Sequence, residues 1–152
     1  MSYYQDLSEF DYYRLDGAKL LAVGWLDIGT PYTSGDVTAA FFESLLTLLV
    51  NPWQPAATAG RHRCPFCRFS GGPSTVSYGD TAAYVGASNL LVPYRDCVFV
   101  APSLIAHYID AHGYCPPADF QRAVAECPPM RSMAYLKQLR VHGVHKLGTA
   151  RM

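Results

Sequence analysis

Two strings at the ends of one stretch decide how this chain is held together. The first is Arg61-His62-Arg63-Cys64-Pro65-Phe66-Cys67; the second is Pro102-Ser103-Leu104-Ile105-Ala106-His107-Tyr108-Ile109-Asp110-Ala111-His112-Gly113-Tyr114-Cys115. A Cys-x2-Cys turn brings two sulfurs toward one cation while backbone amides stabilise the thiolates. A helix-like run with histidines in His-x4-His spacing supplies two imidazoles. Together, Cys64, Cys67, His107 and His112 form the donor set of a tetrahedral zinc site.

The spacing has one awkward feature. On an ideal helix His107 and His112 differ by about 500°, or roughly 140° around the axis. That is wide for two ligands, yet His-x4-His lies within the spacing zinc sites use. A relaxed last turn before Gly113 would bring the rings together. His62 and Cys115 are reserve ligands, each close to a primary one, with His62 the more natural replacement.

Working outward, Ser103 reads as the cap of a helix over Leu104–His112, and Gly113 as its left-handed terminator. Four short strand candidates lie between the two strings, at Thr75–Tyr78, Ala82–Val85, Asn89–Val92 and Cys97–Val100, separated by Gly79-Asp80, Gly86 and Pro93. Such tight spacing predicts a small antiparallel meander. Upstream, Lys19–Asp27 reads as a buried strand, and Asp36 as the cap of a helix running to about Val50. Phe41, Phe42, Leu45, Leu46, Leu48 and Leu49 cover more than one face of that helix, so it belongs in the core. Asn51-Pro52 stops it, and Pro55–Gly60 forms a small-residue linker to the knuckle. Downstream, Asp119 can cap a short helix to about Cys127, and Ser132–Val141 forms a last helix with Met133, Leu136 and Leu139 on its apolar side. The fold class is therefore α+β: a small antiparallel sheet, a buried helix and a zinc-tied knuckle–helix unit.

The ligand pattern and the order knuckle, strands, helix resemble the compact DNA-binding zinc finger with two cysteines and two histidines. The gap between the pairs, residues 68–106, is 39 residues long, against about 12 in that finger. The finger's way of reading DNA therefore does not carry over. The strings Gly60-x-His62-x-Cys64-x2-Cys67 and His107-Tyr108-Ile109-x2-His112-x-Tyr114-x-Pro116-Pro117 also resemble a family of uncharacterised small bacterial proteins. That resemblance implies no particular activity.

At 152 residues the chain suits a single domain, residues 1–152, with 131–152 a basic, partly frayed C-terminal segment. Half the residues are hydrophobic and 16% charged, which is a globular composition. Twelve Lys and Arg balance twelve Asp and Glu, so no net field draws the chain onto nucleic acid or an anionic membrane. The charge is unevenly placed: Asp6, Glu9, Asp11 and Asp16 crowd the first segment, while Arg131, Lys137, Arg140, Lys146 and Arg151 occupy the last without an acid. The aromatic groups of the first segment are expected to lie on the domain with its carboxylates wet. Five cysteines, two of them committed to the knuckle, argue against a disulfide framework and for a reducing compartment. Cys97, Cys115 and Cys127 read as buried thiols. No apolar run reaches the roughly 18 residues of a membrane span, and the N-terminus lacks the pattern of a signal peptide. A cytoplasmic location is the default.

Three functions follow from these residues. With four good ligands the zinc is closed and structural, which points to a non-enzymatic module with a protein partner, an adaptor or inhibitor. Arg61, Arg63 and Arg68 around the knuckle, with the basic tail, leave nucleic-acid binding as an alternative. A zinc hydrolase is the third, with Asp110 the one carboxylate between the histidines. It lacks the His-Glu-x-x-His motif and the His-x-Glu that a deaminase places before its cysteines. A thioredoxin-like reading of Cys64-Pro65-Phe66-Cys67 is a minor alternative, because Phe69-Ser70-Gly71-Gly72 is a poor helix start.

Overall fold

The computed structural model describes residues 3–15, 17–55 and 61–143. Its order is β1 (Leu20–Ala22), α1 (Ala39–Leu49), β2 (Thr75–Tyr78), β3 (Thr81–Tyr84), β4 (Asn89–Tyr94), β5 (Cys97–Pro102), α2 (Ile105–His112), α3 (Ala118–Glu126) and α4 (Met133–Val141). The α+β class and the buried helix stand as expected. The single meander does not. The four central strands split into a β2–β3 hairpin and a separate β4–β5 pair, and β1 joins β5 in parallel to give the order β1-β5-β4.

Strand β5 is central and buried at every position. Its period-2 alternation sends side chains into two cores. Phe99 and Ala101, with Leu90 and Val92 of β4, join α1 and Phe120 of α3 on one face. Val98 and Val100, with Leu91, Leu20 and Ala22, meet Trp25, Trp53 and the N-terminal segment on the other. Apart from Asn89 at the start of β4, strands β4 and β5 are therefore apolar, because neither face is left to water.

The N-terminal segment binds through Tyr4, Phe10 and Tyr13, while Tyr3 and Tyr12 are exposed. The Asp6 carboxylate, expected in water, instead accepts from the Tyr114 hydroxyl at 2.7 Å and the Gly24 amide at 3.0 Å. Phe10 packs against Trp25 and Tyr13 at 5.3 and 5.1 Å between centroids, and its amide donates to the Leu20 carbonyl. Helix α4 docks on the same core through Tyr135 and Leu139. Met133, expected on that apolar side, is instead exposed. Residues 56–60 of the expected linker and 144–152 of the C-terminal segment expected to be partly frayed lie outside the described residues.

Three capping expectations are corrected. Thr38, not Asp36, caps α1, its hydroxyl accepting from the Phe41 amide at 3.1 Å. Leu104 starts α2 without a side-chain cap, because the Ser103 hydroxyl accepts from the Gly86 amide at 2.8 Å. Pro117 opens α3, and Asp119 pairs with Arg122 one turn on. Of the three thiols expected inside, Cys97 is buried, while Cys115 and Cys127 are half-buried.

Burial in the second core has a consequence at high pH. Burial pushes the Tyr13 phenol from 10.0 to about 12 and the Cys127 thiol from 9.0 to about 12. It moves the Tyr135 phenol in the same direction. In the unfolded chain these groups lose protons near their ordinary values; in the folded chain they keep them. Over that window the native state binds more protons, so what these three groups contribute to stability is full below about pH 8.5 and is lost as pH rises. The melting temperature is expected to fall steeply between about pH 9 and 10.5. A level profile across that whole range would contradict this assignment of burial.

Candidate metal centre

The chain entering the knuckle is fixed first. The His62 amide donates to the Gly86 carbonyl at 2.6 Å, and the Cys64 amide to the Gly71 carbonyl at 2.8 Å. The Cys67 amide turns back to the Cys64 carbonyl at 3.3 Å, and the Gly71 amide to the Cys67 carbonyl at 2.9 Å. This is the tight turn that Cys-x2-Cys requires.

Strand β5 runs directly into Ser103 and α2, which carries both histidines. Ser103 and His62 each hydrogen-bond Gly86, so the residue after the hairpin ties the knuckle arm to the start of the histidine helix. Gly86 sits at φ +100°, and a Cβ there would stand 2.9 Å from the His62 carbonyl oxygen. Only glycine permits so close an approach. The 39 residues of the gap thus act as a bridge: hairpin, β4, β5, then helix.

The four donors converge. Cys64 Sγ lies 3.4 Å from His112 Nε2, and Cys67 Sγ lies 3.3 and 3.5 Å from the Nε2 atoms of His107 and His112. All four donor atoms fall within 4.8 Å of one another. With Zn–S near 2.3 Å and Zn–N near 2.0–2.1 Å, a tetrahedron has sulfur-to-nitrogen edges of about 3.5 Å. The observed separations match that figure. The wide angle between the histidines is absorbed at the helix end: His112 is the last residue of α2, Gly113 turns left-handed at φ 66°, and the two rings stand 5.0 Å apart at 89°. Tyr32 fastens that end by donating its hydroxyl to the His112 carbonyl at 2.9 Å.

The surroundings suit a cation held by thiolates. Cys64 and His107 are buried. Burial pushes the Cys64 thiol up and holds the His107 imidazole down, with His112 adding to the second effect. A neutral His107 is ready to ligate, whereas a buried Cys64 thiolate is costly until a cation offsets its charge. Phe66 roofs the cluster, its ring 5.1 Å from His112 and 6.0 Å from Tyr108.

His62 and Cys115, the reserve ligands, are not part of the cluster. The guanidinium of Arg61 binds the carbonyls of Gly72 and Pro73 at 3.3 and 2.7 Å. Asp110 points outward on α2 and is exposed. Residues 2–125 match the family described as a domain of unknown function, DUF7919. The chain belongs to the DUF7919 family. The match covers the knuckle, both histidines and most of α3, and agrees with the resemblance to an uncharacterised family. No curated protein and no solved structure matches this DUF7919 chain. No helix among its described residues is long and apolar enough to cross a membrane.

Sequence reasoning missed Gly72, which forms the wall of the site. It sits at φ +87°, and a Cβ there would lie 3.0 Å from Cys64 Cβ and 3.3 Å from His107 Nε2. Gly72→Val should therefore strain the turn and push two donors apart, weakening metal retention by about tenfold or more. Competition against a chromogenic chelator measures this; unchanged retention would show that Gly72 does not shape the site. The signal available in the sequence was the Gly71-Gly72 pair close behind the knuckle.

Proposed function

We propose that this chain is a non-enzymatic, zinc-stabilised protein-interaction module, an adaptor or an inhibitor of another protein. The observation that carries the reading is the convergence of four protein donors at tetrahedral edge lengths beneath the Phe66 ring. Two thiolates and two imidazoles in that geometry favour zinc over harder cations. Four side chains fill a tetrahedral ion, which leaves no position for the water that a hydrolytic zinc activates. A cleft of about 970 Å³ lined by residues of the N-terminal segment and β1, including Glu9, Arg14 and Lys19, contains none of the four donors. A metal with this surrounding holds a surface in shape, and a surface held in shape serves recognition.

The test is a tagged chain expressed in the cells that naturally make it, cross-linked, and purified with its zinc retained. The expected result is one protein partner that, when purified, forms a defined complex with the zinc-loaded chain in analytical ultracentrifugation. Zinc-dependent turnover of ester, amide or phosphodiester substrates would contradict the reading. Submicromolar binding of oligonucleotides near physiological salt would do so as well.

A further inference from the structure

The outer face of the knuckle carries an aromatic side chain that nothing in the fold covers. Phe69 is 101% exposed, at the tip of the turn closed by the Gly71 amide and the Cys67 carbonyl. Leaving a phenyl ring wholly in water forgoes the burial that such a side chain ordinarily gains. Its surroundings are cationic. Arg68 precedes it, and the Arg63 side chain lies over Gly71, two residues beyond. From Asn51 to Gly79 the sequence contains three arginines and no carboxylate. Among the described residues neither Arg63 nor Arg68 forms an ion pair.

We infer that Phe69, Arg63 and Arg68 form the contact surface of this module, and that its partner presents an acidic segment with an apolar side chain to receive the ring. The inference rests on the interaction reading above and names the face and the chemistry. Aromatic and arginine side chains grouped on one rigid patch are the composition of interface hot spots. The turn is fixed at its base by Cys64 and Cys67, so little ordering remains to be lost on binding. Magnitude decides against nucleic acid as the occupant. Arg61 is already engaged by the Gly72 and Pro73 carbonyls, which leaves, among the described residues of this turn, two guanidiniums without an ion pair, few against the about 6–10 phosphate contacts of a strongly salt-dependent nucleic-acid binder. One exposed ring on a turn that also carries two exposed arginines suits carboxylates around an apolar side chain.

The experiment is selection of a phage-displayed random peptide library on the zinc-loaded full chain, with binding of the selected peptides then measured on variants. The expected peptides are enriched in Asp and Glu around an apolar residue. Their affinity should fall roughly thirtyfold or more with Phe69→Ala and by a similar factor with Arg63→Ala plus Arg68→Ala. Zinc content of these variants should match the wild type, because all three residues are exposed and none belongs to the metal-binding cluster. Selection of no peptide, of peptides without acidic enrichment, or of peptides that bind all variants equally would overturn the inference. So would single-stranded oligonucleotide binding lost in the same variants. A partner found in cells that binds these variants as tightly as wild type would sink the assigned face and leave the interaction reading intact. Absence of any protein partner would sink that reading itself.

Discussion

Cys64→Ser is expected to lower the melting temperature far more than Cys97→Ser, although both thiols are buried. The two positions differ in what the sulfur does. Cys97 fills space beside Tyr94 at the β4–β5 turn, and a hydroxyl in its place costs about 1–3 kcal/mol if it finds no partner. Cys64 is one of four clustered metal-binding side chains, and on the zinc reading proposed above its loss opens the site and releases the ion that would join the knuckle to α2. Structural zinc contributes on the order of 10 kcal/mol of apparent folding free energy at neutral pH, comparable to the about 5–15 kcal/mol margin of a whole domain. A strong chelator should therefore bring the wild type down to the level of Cys64→Ser while leaving Cys64→Ser itself unchanged. Equal melting temperatures for the two serine variants would reject the role assigned to Cys64.

The second large effect belongs to the core. Phe120 of α3 is fully buried, with its ring edge-on to Phe41 of α1 at 6.4 Å and to Phe99 of β5 at 5.8 Å. It is the side chain through which two helices and the central strand share one packing contact. Phe120→Ala removes that contact and leaves a cavity, at an expected cost of about 3–5 kcal/mol. Because the site lies elsewhere on α2, the variant should still bind its metal when folded at low temperature. Urea unfolding with metal analysis of the same sample checks both halves; a loss below about 1 kcal/mol would mean that α3 is not held as described.

The parts legible in the sequence were those with a local signature. The apolar run of α1 is too dense for any surface helix, and Leu90–Val92 and Cys97–Val100 mark β4 and β5 by their hydrophobicity, although β4 runs on through Pro93 to Tyr94. The Cys/His cluster was legible because metal ligation restricts both residue type and spacing. What escaped was long-range. Asp36 and Thr38 are both competent caps, and only the path of the chain chooses Thr38. Ser103 looked like a cap, yet its hydroxyl is taken by Gly86, a partner 17 residues away. The parallel pairing of Leu20 with Val98 has no local mark, since its crossover spans α1, the knuckle and the hairpin. Gly72 and Phe66 shape the site through packing alone, and packing is not written in spacing.

Elemental analysis, alongside native mass spectrometry, of protein purified without chelator tests the metal centre most directly. About one zinc per chain is expected, lost in Cys67→Ser and in His107→Asn plus His112→Asn, and kept in His62→Asn and Cys115→Ser. Wild-type protein that carries no metal while its Cys64 and Cys67 thiols titrate freely would contradict it, as would zinc retained in full when both histidines are replaced.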